Sequence, residues 1–167
     1  MKFSKILYDL AWAFTVAMIL RLVFGLFLGT SFPFVAVMSS SMTHDVNAVN
    51  NYYVWMEQHN FNRDQLSGFP FEYGFNKGDA LIIGSPSHVQ VGDVVVYLNP
   101  DLGYAIIHRV VNLTDAGYIT KGDRNPAPDP WIVKKTWVKG KAVLLIPLLG
   151  WIRVLPSDFI HFVGSLV

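Results

Sequence analysis

Gly92-Asp93-Val94-Val95-Val96-Tyr97-Leu98-Asn99-Pro100-Asp101, residues 92–101, reads as one β-strand held between two turns. Glycine, aspartate, asparagine and proline supply turn chemistry at both ends, and the run between them is β-branched, aromatic and aliphatic. The same punctuation recurs on either side. Ala80-Leu81-Ile82-Ile83 lies between Gly78-Asp79 and Gly84-Ser85-Pro86, and Phe34-Val35-Ala36-Val37-Met38 is a β-prone run that ends at three serines. Downstream, residues 104–113 and 118–121 flank the turn Asp115-Ala116-Gly117, and residues 131–138 and 142–146 complete the set. The pattern predicts a mainly β fold, and the chain shows no internal repeat or low-complexity tract.

Upstream the period changes. Residues 10–34 are apolar apart from Arg21 and a few small polar residues. At ~1.5 Å per residue a helix of that reach exceeds the ~30 Å hydrocarbon layer. Arg21 is the costly member, at roughly 2.5–3.5 kcal/mol near a bilayer centre, and its long stem would let it snorkel toward the cytoplasmic headgroups. The stretch is too long for a cleavable secretory signal and runs on into β-prone sequence, so an uncleaved anchor is expected. Lys2 and Lys5 precede it, which points to a cytoplasmic N-terminus and an external main domain.

Two segments lack clean alternation. Residues 46–74 are Asn-rich and aromatic, and Val46, Val49, Tyr53 and Met56 share one helical face, so a short amphipathic helix followed by a loop is expected to cover the core. Residues 142–167 are apolar but interrupted by Pro147, Gly150, Arg153, Pro156 and Asp158. The prolines argue against a straight spanning helix, leaving a membrane-interface segment and a docking helix as equal readings.

Composition narrows the function. The 52% hydrophobic content over 167 residues is more than a soluble domain of this size needs. A net charge of +1, without a basic run, predicts no nucleic-acid partner. There is no cysteine, which removes disulfides, thiolate metal sites and a cysteine nucleophile. His59, His88 and His161 have no ligand spacing to carboxylates, so neither a metal nor a cofactor is expected. Asn112-Leu113-Thr114 has the form of a glycosylation acceptor, a triplet common by chance.

Ser39-Ser40-Ser41-Met42 follows the anchor directly and would hold a hydroxyl near the membrane surface. A serine becomes nucleophilic only with a base beside it, and histidine is well matched to accept a proton near neutral pH. His108 lies in the β-prone run Ala105-Ile106-Ile107-His108-Arg109-Val110, where a rigid backbone would fix its ring. Its second nitrogen needs an acceptor to set the tautomer, and Asp123 or Asp129 could supply it.

Four segments taken in order are more specific than any of them alone: Ser-Ser-Ser-Met outside an N-terminal anchor, Gly-Asp-Val-Val-Val-Tyr, Ile-Ile-His-Arg-Val-Val, and Thr-Lys-Gly-Asp-Arg-Asn-Pro-Ala-Pro-Asp. Together they closely resemble type I signal peptidase, in its histidine-containing archaeal and endoplasmic-reticulum branch, from the anchor to about Asp129. The resemblance implies a signal-peptidase-like β domain behind an N-terminal transmembrane helix. It implies Ser41 as nucleophile, and His108 as general base where the bacterial branch has lysine. Asp129 would act with His108, Asp123 would be a supporting or structural acid, and Ser39 would join the backbone N–H of Ser41 in an oxyanion hole. Two positions depart from the pattern. Ser40 stands where glycine is frequent, and His44 where proline is frequent. His44 is therefore a rival base, ranked below His108 and expected to face solvent or the insertion.

On this reading residues 1–34 are a cytoplasmic stub and anchor, 35–146 a β catalytic domain carrying the insertion 46–74, and 147–167 an apolar membrane-proximal segment. The implied activity is removal of signal peptides from secretory preproteins at a cell or endoplasmic-reticulum membrane. An extended substrate would add to a strand edge, with 34–38 and 80–83 as candidates, presenting alternate small side chains to one face. The competing hypothesis is a catalytically silent, membrane-anchored β module that binds preproteins or a partner subunit.

Overall fold

The computed structural model describes residues 2–164, with side chains described for all of these but 2, 3, 46–51 and 161–163. The first element is α1 (Lys2–Leu28). Its stretch Ser4–Leu28 has 25 residues, a mean hydropathy of 2.1 and no burial within the protein, so by length and composition it could cross a membrane. Gly29 ends the helix at φ +67°, and the N–H of Thr30 reaches back 3.0 Å to the carbonyl of Gly25. This is a left-handed glycine cap that consumes one orphan carbonyl of the last turn. Thr30 Oγ1 then donates to the carbonyl of Lys139 at 2.7 Å, fastening the helix exit to the sheet.

The strands are β1 (Phe34–Ala36), β2 (Ala80–Gly84), β3 (Val94–Leu98), β4 (Ala105–Thr114), β5 (Gly117–Lys121) and β6 (Val138–Ile146). They form one antiparallel sheet in the order β1-β2-β6-β3-β4-β5. The mainly β reading holds. β3, the strand quoted at the outset, lies between β6 and β4 and is buried on both faces. Val94 and Val96 join a core with Val37, Met42, Phe75, Leu81 and Ile83, while Val95 and Tyr97 join another with Val110, Tyr118, Val133 and Val138. A strand buried on both sides reads as a near-continuous apolar run, as this one does.

Two strand expectations need correction. Residues 131–138 are not a strand. Only Val133 makes a bridge, to Tyr118, and residues Lys135–Trp137 form a 3₁₀ turn before β6 begins at Val138. Pro128 and Pro130 lie just upstream and cannot donate to a ladder, so β-branched composition misleads here. Nor are residues 80–83 an edge, because β2 is paired with β1 on one side and β6 on the other.

The insertion folds as α2 (Val46–Gln58) and α3 (Arg63–Ser67). Tyr52, Met56 and Leu66 bury against Val111, so the segment does cover the core. The side chains of Val46 and Val49 lie outside the described residues. After β6 comes α4 (Trp151–Gly164), whose 14 residues span only about 21 Å. It docks through Trp151, packed over Gly78, and the fully buried Val154, yet leaves Ile152, Leu155, Phe159 and Ile160 exposed. The helix therefore has a docked side and an apolar outer side, with Pro156 inside it.

Candidate active site

Ser41 sits in the turn that follows β1. Three neighbours fix that turn: the N–H of Arg124 donates to the Ser41 carbonyl at 2.8 Å, the N–H of Phe75 to the Met42 carbonyl at 3.0 Å, and the N–H of Asp123 to Met42 Sδ at 3.5 Å. Met42 is itself buried in the core. The apolar residue after the serine thus acts as a plug that sets where the hydroxyl points.

His108 comes from β4, paired with Val95 of β3. Its Nε2 is 3.2 Å from Ser41 Oγ, and its Nδ1 is 2.8 Å from Asp129 Oδ2 and 3.0 Å from Oδ1. Asp129 accepts further bonds from Tyr97 Oη at 2.9 Å and Thr120 Oγ1 at 2.6 Å. Burial alone would raise the Asp129 pKa, but the bonds from His108, Thr120 and Tyr97 and the His108 charge hold it below the usual carboxylate value. Burial and the same carboxylate push the Tyr97 hydroxyl upward, so it stays a donor. An ionised carboxylate on Nδ1 keeps that nitrogen protonated and leaves Nε2 as an acceptor facing Ser41. Ser39 Oγ lies 3.2 Å from Ser41 Oγ. Gly122 closes the site from below. A Cβ there would stand 2.9 Å from His108 Nε2 and 2.8 Å from Asn125 Nδ2, so any side chain would push the ring off its place.

Asp123 is near the site but does not touch His108 by any hydrogen bond. It accepts from Arg109 Nε at 2.9 Å and Nη2 at 2.7 Å, and pairs with His44 Nε2 at 2.9 Å. Arg109 is fully buried and also donates to the carbonyls of Pro70, Phe71 and Gly92. Desolvation would raise the Asp123 pKa, but the Arg109 charge and the bonds from His44 and Arg109 hold it low. Arg109 thus pairs with an acid beside the site from within the protein. His44, read as a rival base exposed to solvent or touching the insertion, does touch the insertion through Tyr52 at 4.6 Å but is buried on Asp123. The insertion therefore reaches the site's supporting shell through Tyr52 and two loop carbonyls.

Lys121 is buried, donating from Nζ to the carbonyls of Gly122 at 3.0 Å and Asp123 at 3.2 Å, above the Trp55 ring. Burial pushes its pKa down to about 8. Between pH 8 and its ordinary value of 10.5 the unfolded chain binds more protons at this lysine than the folded one, so its contribution to stability rises with pH across that window. Urea unfolding of the wild type against Lys121→Met is expected to show a steeper rise of stability with pH in the wild type. Parallel pH profiles would refute the shift.

Ser41, Ser39, His108 and Asp129 open onto a groove of about 860 Å³. One wall is Phe34–Met38 and the other is Tyr104–His108, although β1 and β4 stand four places apart in the strand order, so the sheet coils strongly. β5 pairs with β4 only from Arg109 onward, which leaves the outer edge of residues 105–108 unpaired by that neighbour. Among the described residues no group of three or more His, Asp or Glu is placed to hold a metal; the side chain of His161 lies outside them.

The sequence pointed to Ser41, Ser39, His108 and both aspartates, and missed Tyr97 and Thr120. Register held a signal for Tyr97: it pairs with Ile106, two residues from His108 and hence on the same sheet face.

A coiled antiparallel sheet, an N-terminal helix long enough to cross a membrane, and a Ser-His-Asp set at the mouth of a groove define a class of β protein with hydrolase-like geometry. No family model matches the chain. Curated proteins do. It is 33% identical over 107 residues to the signal peptidase complex catalytic subunit SEC11 of Verticillium alfalfae, covering 56% of this chain and 62% of that protein. It is 32% identical over 111 residues to the protein of the same name from Debaryomyces hansenii, covering 58% and 66%. With that from Scheffersomyces stipitis it shares 26% over 167 residues, covering 92% and 83%. The first of these matches spans 62% of its relative's length, short of two thirds. The chain's homologues are thus signal peptidase catalytic subunits, the endoplasmic-reticulum branch of type I signal peptidase.

Proposed function

We propose that this chain is a membrane-bound serine endopeptidase that removes signal peptides from secretory preproteins. The observation that carries the reading is the relay of Ser41 Oγ to His108 Nε2 at 3.2 Å and His108 Nδ1 to Asp129 at 2.8 Å. Ser41 Oγ attacks the carbonyl carbon of the scissile bond while its proton passes to His108 Nε2. The carbonyl oxygen becomes an oxyanion, received by the backbone N–H of Ser41 and the hydroxyl of Ser39. His108 then protonates the leaving nitrogen as the C–N bond breaks, releasing the mature protein's amino end. The signal peptide remains as an ester on Ser41. Water, deprotonated by His108, hydrolyses that ester and restores the serine. Asp129 stays ionised throughout and stabilises the imidazolium.

The substrate runs extended between β1 and the first half of β4, and successive residues face alternate sides, so small residues are selected at the −1 and −3 positions. The N-terminus is cytoplasmic, in keeping with Lys2 and Lys5, and the domain 35–146 is external or lumenal, with 147–167 beside the membrane. The exposed apolar residues of α4 support that last assignment. The relatives are named as subunits of a complex, whereas every group in the proposed chemical step comes from this one polypeptide. A silent binding module would have no need of a serine, a histidine and a carboxylate at hydrogen-bonding distances.

The test is cleavage of a purified preprotein by the full chain in detergent or liposomes. Activity surviving in Ser41→Ala would overturn the reading. Ser39→Ala is expected to lower kcat by about 10²–10³-fold with little change in KM, the signature of a donor used only in the transition state. An unchanged kcat would remove Ser39 from the oxyanion hole.

A further inference from the structure

Arg21 is an expensive residue to place in an apolar helix. It stands seven residues before the end of α1, about 10 Å along the axis, within the segment long enough to cross a membrane. An ionisable residue at such a depth marks a functional site by default, and its partner has to be found. Its guanidinium does not reach back toward the amino end of the helix, as snorkelling to the cytoplasmic side would require. Nη2 instead makes one long bond of 3.4 Å to the carbonyl of Ser31, past the helix's carboxyl end. There Arg21 lines the same groove as Ser41 and His108. Arg153, in the first turn of α4, lines it too. Both are exposed, and among the described residues neither forms an ion pair with a carboxylate. Asp129 is the groove's acidic group and is already engaged by His108, Tyr97 and Thr120. Among the described residues, the groove thus carries two cations without a carboxylate partner.

The position of Arg21 relative to the nucleophile fixes what it meets. From Phe32 to Ser39 the groove wall is eight residues long, seven steps along the chain. At ~3.3 Å per residue, an extended substrate whose −1 residue lies level with Ser39 would bring a residue about eight before the scissile bond to the Arg21 end. A secretory signal is an apolar stretch followed by a short segment ending at small residues, so this is where its apolar helix gives way to extended chain. The last four carbonyls of a helix lack intrahelical partners and together carry a partial negative charge. Guanidinium groups are matched to that end, and a basic residue in the same place would be repelled in a low-dielectric setting.

Building on the peptidase reading, we propose that Arg21, with Arg153 beside it in the groove, forms a cationic subsite that receives the carboxyl end of the substrate's apolar helix and selects against a basic residue there. The test uses the full chain in liposomes and three preproteins that differ only in Glu, Gln or Lys eight residues before the scissile bond. For the wild type, kcat/KM is expected to be roughly tenfold lower for Lys than for Gln, with Glu at or above Gln. Arg21→Gln is expected to compress the Glu-to-Lys spread to within about threefold, and Arg21→Gln with Arg153→Glu to invert its order. A spread unchanged in these variants overturns the subsite. Equal loss on all three substrates, tracking the anionic lipid content of the vesicles, overturns it in favour of lipid headgroups as the partner. Binding of the same three substrates to Ser41→Ala reads the subsite without chemistry. If the wild type cleaves none of them but binding still discriminates, the peptidase reading falls and the subsite stands; if cleavage is normal and neither measurement discriminates, only the subsite falls.

Discussion

Ser41→Ala and His108→Ala are each expected to lower kcat by about 10⁶-fold, and the double variant by scarcely more. The two side chains act as one unit: without Nε2 the hydroxyl keeps its proton, and without the hydroxyl the imidazole has nothing to activate. Their 3.2 Å separation is what makes the losses overlap. His44→Ala distinguishes this arrangement from its rival. Because His44 Nε2 is committed to Asp123, its removal is expected to weaken the turn that holds Ser41 without removing the base. Preprotein cleavage in single turnover measures all four proteins. Loss in His44→Ala with activity kept in His108→Ala would reverse the base assignment, and strictly additive losses in the Ser41, His108 pair would mean that they do not act together.

Asp123→Ala is expected to destabilise the fold by roughly 3–5 kcal/mol, the largest stability effect of any single change near the site. Its carboxylate is the counter-ion for Arg109, which has 0% exposure and no route to water. Removing the acid strands a buried cation and leaves His44 without its acceptor. Replacing both members, as in Asp123→Leu with Arg109→Met, is expected to recover much of the loss, because a buried pair costs more to break than to replace with apolar groups. Acid should act in the same direction. The pKa values of Asp123 and Asp129 are both held below the ordinary carboxylate value, so their stabilisation is complete above that value and is lost as pH falls through the lower folded ones. Urea unfolding at several pH values measures both effects. A cost below about 1 kcal/mol for Asp123→Ala would mean that the network is not a structural support.

How much of this was legible in the sequence depended on the kind of signal. β3 was readable because its burial on both faces is written in its own residues, and α1 because hydropathy needs no partner. Residue chemistry nominated His108 and left Asp123 and Asp129 open; Ser41 and Asp129 were singled out by the resemblance of four ordered segments to type I signal peptidase. Residues 131–138 were misread because β-branched composition reports a preference for extended backbone, not the presence of a neighbouring strand to pair with. The edge status of residues 80–83 was likewise hidden, since β2 acquires its second neighbour from β6, more than fifty residues later. For His44 the contact with the insertion was expected but its burial was not, for a related reason. Nothing local says that an imidazole in a polar turn will be buried against an aspartate 79 residues away. Tyr97 and Thr120 looked like ordinary strand residues until β3, β4 and β5 were in register around Asp129.

The cap at Gly29 and the bond from Thr30 to Lys139 have a consequence for the geometry of the reaction. Only Gly29 to Pro33 separate the helix from β1, so little slack exists between the two. With α1 in a bilayer, as proposed, the Ser41 hydroxyl would ride at a fixed altitude, and any tilt of the helix would pass to the groove as a rotation. Cleavage would then be gauged by how far a substrate protrudes from the lipid as well as by which side chains it offers. Lengthening this tether would detune the gauge while leaving every catalytic distance intact.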